Sequence, residues 1–223
     1  MSGRVQGLGG VVLCGGQSRR MGRAKAWLDF GGEPLLLRVI RRLGEAAWPV
    51  AVVAAPGQDV PPLPEGVLLV RDPVEGQGPL RGIAAGLEAI APYAERAYVS
   101  STDAPFLEAA FVRRMAALQE GYDIAVARAD GHHHPLGAVY ACAVRGVALA
   151  LLAEDRRRPF FLFEQVRTRV VEREVILEDV ELGGVDPGLG SLRNINTVEE
   201  YEAALGEAGA GTGGGAGGGH GGK

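Results

Sequence analysis

Leu13-Cys14-Gly15-Gly16-Gln17-Ser18-Arg19-Arg20-Met21-Gly22-Arg23-Ala24-Lys25 closes an apolar run that begins at Leu8. The run reads as a buried strand. Two adjacent glycines, a small polar residue, arginines, a third glycine and a lysine follow it. Glycine lets a backbone turn and pass close to a ligand where a side chain would clash. Exposed N–H groups in such a turn cradle phosphate oxygens, and arginine and lysine neutralise their charge. The stretch therefore predicts a nucleoside triphosphate site at the carboxyl end of the first strand. It is not a P-loop, because Gly22 is followed by Arg23-Ala24-Lys25-Ala26 rather than by lysine and a hydroxyl residue. The dinucleotide pattern G-x-G-x-x-G is missing as well. The blander alternative is a glycine-rich strand-to-helix turn with solvated arginines.

The rest of the chain alternates strands with helices. Val50 to Ala55, Val67 to Val70, Ala97 to Ser100, Ile124 to Ala127 and Leu136 to Cys142 read as further strands. Between them lie amphipathic stripes. Leu36, Val39, Ile40 and Leu43 follow Glu33-Pro34; Leu80, Ile83, Ala84, Leu87 and Ile90 follow Pro79; Leu107, Phe111, Met115 and Leu118 end at Gly121. Such stripes are core far more often than ligand contacts. Residues 56 to 66 hold four prolines and read as a loop, as does Asp130 to Pro135. Val144 to Ala153 and Phe160 to Val166 read as helices, and Val170 to Ile176 as a strand. Thr197 and Glu200 form a capping box for a last helix. The alternation predicts a Rossmann-like, three-layer α/β/α fold with a mostly parallel, doubly wound sheet. Ligands bind such sheets at the carboxyl ends of the strands. That rule gathers the loop at residues 15 to 25, Asp72 and Asp103 on one edge.

Composition narrows the function classes. With 223 residues and 47% hydrophobic content, the chain suffices for one α/β domain with a large core. We expect that domain over residues 1–207, followed from Ala208 by a disordered glycine-rich tail, 208–223. A net charge of −4 argues against a general nucleic-acid binder. No apolar run approaches the ~18 to 20 residues of a membrane span, and Met1 to Gly7 holds no signal-peptide core. Cys14 and Cys142 are too few for a disulfide scaffold and read as buried small hydrophobes. A cytoplasmic protein with reduced thiols is expected.

Five ordered stretches carry a resemblance. They are Leu13 to Lys25; Asp72-Pro73 with Gly78-Pro79-Leu80-x-Gly82; Thr102-Asp103-x-Pro105; His134-Pro135-Leu136; and Asn194-x-Asn196-Thr197. Together they resemble the molybdenum cofactor guanylyltransferases, a branch of the Rossmann-like nucleotidyltransferases. The resemblance implies transfer of GMP from GTP to the terminal phosphate of molybdopterin-bound molybdenum, with release of pyrophosphate. By the same match, the backbone of Leu13, Cys14 and Gly15, with Gly16 beside it, holds the guanine nucleotide. Lys25 meets the phosphates, Asp72 is an acidic nucleotide-site position, and Asp103 binds Mg²⁺. Arg20 joins Lys25 and Asp103 as catalytic, by stabilising the departing charge. On the substrate side, the match makes His134 a contact of the pterin phosphate, sets Arg157 and Arg158 beside the molybdopterin site, and gives Asn194 and Asn196 a polar role near the substrate. Molybdenum-insertion and molybdoenzyme chaperone proteins are implied partners, with neither nucleic acid nor membrane.

The chemistry suits these residues. Nucleotidyl transfer places charge on the leaving pyrophosphate, so positioning and positive charge dominate. Mg²⁺ takes one or two carboxylates plus phosphate oxygens, which an isolated aspartate after a strand supplies. The bland alternatives remain beside it. Asp72 and Asp103 could be turn residues before proline, Arg156 to Arg158 a solvated run, and Asn194 and Asn196 helix caps. His132, His133 and His134 are consecutive, which suits a solvated loop better than a metal cluster. The nearest rival is the cytidylyltransferase for the same cofactor, whose loop usually reads Leu-Ala-Ala-Gly where this chain has Gly15-Gly16. Ala24 and Ala54 stand where the pattern often has aspartate and asparagine, and they motivate a second rival, a non-catalytic nucleotide-binding module.

Overall fold

The computed structural model describes residues 3–14, 24–72 and 78–212. Seven strands form one sheet in the order β3-β2-β1-β4-β6-β5-β7. They are β1 (Leu8–Leu13), β2 (Val50–Ala54), β3 (Leu68–Arg71), β4 (Arg96–Ser101), β5 (Ile124–Ala129), β6 (His132–Ala141) and β7 (Thr168–Glu172). Strands β3, β2, β1 and β4 are mutually parallel, and β5 and β7 are parallel to each other. Strand β6 runs antiparallel to both neighbours. The mostly parallel α/β sheet expected from the alternation is thus present.

Strand β1 is buried almost throughout, and its side chains alternate between the two faces of the sheet, which builds the three layers. Val12 faces a core shared with α1 (Leu35–Gly44) and α3 (Ala109–Leu118), including Leu36, Val39, Leu43, Phe111 and Met115. Val11 faces the opposite core, with Leu80, Ile83, Leu87 and Ile90 of α2 (Pro79–Ile90), Leu151 of α4 (Arg145–Ala153) and Leu162 of α5 (Pro159–Phe163). The four large apolar side chains of α2 are fully buried, at about 2 kcal/mol each. This anchors the first turn of α2 firmly at the sheet edge that carries the site.

Close packing of α2 on β1 depends on a missing side chain. A Cβ at Gly86 would lie 2.4 Å from Cγ1 of Val11. A third, small cluster joins Leu28, Phe30 and Leu35 to Ile195 and Ala204, with Tyr201 and Phe106 packed on it. Phe30 and Phe106 meet edge to face at 5.8 Å. The cluster docks α8 (Val198–Thr212) against the segment following residue 24.

Four boundaries depart from the sequence reading by more than two residues. Strand β6 begins at His132, not Leu136. Asp130 and Gly131 both have positive φ, 51° and 76°, and close a two-residue hairpin between β5 and β6. The Asp-Gly pair carried that signal, and the three histidines behind it obscured it. The predicted strand from Val170 to Ile176 is instead β7 and then the short helix α6 (Arg173–Leu177). The helix expected from Phe160 to Val166 is α5, which starts at Pro159 and stops at Phe163. Finally, α8 extends to Thr212, past the start of the glycine-rich composition, because Ala208 packs on the cluster around Phe30. Residues 213–223 lie outside the described part. No helix among the described residues is long and apolar enough to cross a membrane.

Candidate active site

The parallel strands deliver Cys14, Ala55, Asp72 and Asp103 to one edge of the sheet, each at or just beyond a strand's carboxyl end. Because β6 is antiparallel, its first residues, His132 to Pro135, reach the same edge. A bulge helps. Val126 pairs with Ala138 but Ala127 pairs with His134, so Pro135, Leu136 and Gly137 are extra residues on β6. Proline is tolerated at such a position because no ladder donor is needed there. The Tyr140 hydroxyl donates to the Pro135 carbonyl at 2.8 Å and holds the bulge.

Asp103 is the centre of the charged part of the site. Its Oδ1 accepts from the Ser101 hydroxyl at 2.5 Å, and its Oδ2 meets the Lys25 ammonium at 2.7 Å. The same ammonium donates to Oδ1 of Asn196 at 3.1 Å. Asn196 is placed by the chain around it. The Ile195 N–H donates to the Asp103 carbonyl at 2.9 Å. Glu200 Oε2 accepts from the N–H groups of Asn196 and Thr197, at 2.6 and 3.2 Å, while the Glu200 N–H donates to the Thr197 hydroxyl at 3.2 Å. That is the capping box read from the sequence, and it fixes the asparagine as well as the helix.

This donor set fits a magnesium ion carried with a nucleotide. A carboxylate has about four lone-pair sites, and each Asp103 oxygen receives one donor in these contacts. The Asp103 side chain is 16% exposed. Among the described residues no group of three or more His, Cys, Asp or Glu side chains could hold a metal. An ion here would therefore rest on Asp103 and on phosphate oxygens, the arrangement Mg²⁺ accepts.

A second set of contacts ties the strand ends together. The Leu13 carbonyl accepts from the N–H and hydroxyl of Thr102, at 3.1 and 3.2 Å. The Cys14 N–H donates to the Val53 carbonyl at 2.8 Å, and the Cys14 carbonyl accepts from the Gln58 side-chain amide, also at 2.8 Å. Asp72 is held by its N–H, which donates to the Ala54 carbonyl at 2.9 Å, and its carboxylate lies 3.5 Å from Nε of Arg81 in α2. Burial pushes the Cys14 thiol above its ordinary range, with Thr102 and Gln58 pulling the other way. Cys142 is likewise buried and pushed up to about 11. Neither cysteine serves as a ready nucleophile.

The residues expected on the substrate side are spread more widely. His134 is half-buried at the start of β6, beside Gly137 and Leu192, and burial lowers its pKa. Asn194 is exposed two residues before Asn196. Arg157 pairs with Asp155 at 2.6 Å, and Arg158 sits exposed at the start of α5. The backbone of Arg157 lies against Gly78, where a Cβ would stand 3.3 Å from the Arg157 carbonyl oxygen, so this segment borders the first turn of α2. Arg156 turns away, its guanidinium stacked 4.4 Å from the Phe161 ring. Gly15, Gly16 and Arg20 lie outside the described residues. Gln58 was missed at the sequence level, because one glutamine in a proline-rich loop has no periodicity to mark it.

Solved structures share this architecture. The chain superposes on molybdopterin-guanine dinucleotide biosynthesis protein A from Archaeoglobus fulgidus with a TM-score of 0.70, covering 90% of this chain and 98% of that one at 20% identity. A cytidylyltransferase from Thermus thermophilus, acting on 2-C-methyl-D-erythritol 4-phosphate, gives a TM-score of 0.62 at 18% identity, covering 89% and 98%. At such identities the likeness concerns the fold alone, a Rossmann-like α/β sheet. Closer relatives exist in sequence. A molybdenum cofactor guanylyltransferase from Rhizobium leguminosarum bv. trifolii is 35% identical over 202 residues, 88% of this chain and 91% of the relative. A probable molybdenum cofactor guanylyltransferase from Mycobacterium tuberculosis is 44% identical over 138 residues, 60% of this chain and 67% of the relative. Residues 10–169 match the model of the MobA-like NTP transferase domain, and the chain belongs to that family of enzymes.

Proposed function

We propose that the protein transfers GMP from GTP to the terminal phosphate of molybdopterin-bound molybdenum, in the cytoplasm, and releases pyrophosphate. The acceptor phosphate oxygen attacks the α-phosphorus of GTP. A new P–O bond forms there as the bond to the β-phosphate oxygen breaks, and the electron pair leaves with pyrophosphate. The nucleophile is already ionised, so no strong general base is needed.

The observation that carries this reading is the meeting of Asp103, Lys25 and Asn196 on the sheet edge where β1 ends. Asp103 would hold a magnesium ion that neutralises charge on the phosphates. Lys25, within reach of Asp103, supplies a compact positive charge to the phosphate chain. Leu13 and Cys14, fixed by Thr102, Val53 and Gln58, present a rigid backbone to the nucleotide. Asn194, Asn196 and His134 on one side, and Arg157 and Arg158 beside α2, offer polar and cationic groups to the acceptor phosphate. The named guanylyltransferase relatives, one matched over nearly its whole length, support GTP and molybdopterin as substrates.

The test is a competition between GTP and CTP with Mg²⁺ and molybdenum-loaded acceptor, scored by pyrophosphate release. Faster turnover with GTP is expected. Faster turnover with CTP would overturn the guanine assignment, and GTP binding without pyrophosphate release would point to a binding module.

A further inference from the structure

We infer that Gln58 is a positioning residue for the nucleotide, acting through the Cys14 carbonyl at the end of β1; the inference rests on the nucleotide reading above. Ala55-Pro56-Gly57-Gln58 closes a turn, in which the Gln58 N–H donates to the Ala55 carbonyl at 3.2 Å. Proline at the second position and glycine at the third, with φ of +67°, match a type II turn. The turn aims the Gln58 side chain back over the ends of two strands. Its Oε1 accepts from the Ala55 N–H at 3.0 Å. Its Nε2 donates to the Cys14 carbonyl at 2.8 Å and lies 3.4 Å from the Cys14 sulfur. Arg71, at the end of β3, donates to the Ala55 and Gln58 carbonyls at 3.2 and 2.6 Å and locks the turn from outside.

One side-chain amide therefore joins the ends of β1 and β2. Fixing the Cys14 carbonyl restrains the backbone where β1 ends, the point at which the nucleotide reading places the nucleotide. Ala54 and Ala55 bring no side-chain amide of their own to this edge. Gln58, reaching back from the turn, supplies one, and it does so to the backbone.

Two variants separate the roles of the amide. Gln58→Glu keeps an acceptor for the Ala55 N–H but sets a carboxylate oxygen against the Cys14 carbonyl. Gln58→Met keeps the approximate volume and removes both contacts. Nucleotide affinity of the full chain is measured by calorimetry without acceptor, alongside KM and kcat. The nucleotide is whichever of GTP and CTP the wild-type protein binds, so an error in the base assignment does not confound the comparison. Both variants are expected to weaken nucleotide binding and raise its KM about tenfold, equivalent to about 1.4 kcal/mol. KM for the acceptor and kcat at saturation should stay within about twofold. A lowered Tm with unchanged nucleotide affinity would reduce Gln58 to a structural role and overturn the inference. If neither variant folds, Arg71→Gln, which loosens the turn but keeps the amide, decides. A rise of about threefold in nucleotide Kd supports the inference, and no change overturns it.

Discussion

Nζ of Lys25 lies 2.7 Å from Oδ2 of Asp103, although the two residues are 78 positions apart. Their side chains are only 20% and 16% exposed, so the pair is partly sheltered from water. The ammonium has three donors, and two of them serve Asp103 and Asn196. Under the proposed reading, a magnesium ion on Asp103 would compete with the Lys25 contact, and the lysine would then serve the phosphates that accompany the ion.

Asp103→Asn should lower kcat for pyrophosphate release at least about a hundredfold, since it removes the carboxylate expected to carry the metal. Lys25→Met should cost a similar factor, but by loss of charge on the phosphates. Titrating Mg²⁺ distinguishes them. The Asp103 variant should need far more Mg²⁺ for any residual activity, while the Lys25 variant should keep the wild-type requirement. Equal Mg²⁺ requirements in both variants would remove Asp103 from the metal site.

Asn196 touches the Lys25 ammonium at 3.1 Å and is itself held by the cap of α8. Asn196→Ala should therefore slow turnover between about tenfold and a hundredfold by letting the lysine wander, the usual cost of misplacing a reacting group. Asn196→Asp provides the contrast. It tightens the hold on Lys25 by charge and should also slow turnover, because the lysine must leave for the phosphates. Activity at the wild-type level in both would show that the contact between Asn196 and Lys25 plays no part in turnover.

Much of this was legible in the sequence because local rules and global topology agreed. The apolar run from Leu8 to Leu13, the proline at the start of α2 and the Thr197–Glu200 cap each have a local cause that survives in the fold. The convergence of Asp72 and Asp103 on one edge follows from parallel strands alone. Other features depend on contacts that no local pattern records. Strand β6 starts four residues early because an Asp-Gly turn folds it onto β5, and a run of histidines reads locally as loop. Gln58 acts on Cys14 across 44 positions, so its role emerges only once β1 and β2 are side by side.

Burial holds the His134 imidazole below its ordinary pKa, with Asp130 and a backbone hydrogen bond to Ala129 opposing the shift and His132 and His133 adding to it. The folded state therefore favours the neutral ring. A depressed folded pKa gives stability that is present above the unfolded value of 6.5 and is lost as pH falls through the folded value. The Tm of the wild-type protein should fall on acidification from about pH 7 more steeply than that of His134→Gln. Thermal melts across that range check it. Parallel slopes would mean that the ring is as solvated in the folded state as in the unfolded one.

The approach of α2 to β1 sets where the first turn of α2, and with it Arg81 and the segment around Arg157, meets the site. A Cβ on Gly86 would stand 2.4 and 2.9 Å from the two γ-carbons of Val11, and both residues sit in the middle of packed elements. Overpacking of this kind costs about 1 to 3 kcal/mol, and alanine regains up to about 1 kcal/mol of helix propensity. Gly86→Ala should therefore lower Tm by a few degrees. Adding Val11→Ala removes the crowding methyls, so the double variant should be more stable than the sum of the two single changes predicts, which a double-mutant cycle measures directly. Gly206 in α8 is the counterpart. Nothing lies within 4 Å of a Cβ there, so Gly206→Ala meets no clash and should raise stability by up to about 1 kcal/mol. If the two alanine substitutions shifted Tm in the same direction, close packing of α2 on β1 would not be what requires glycine at position 86.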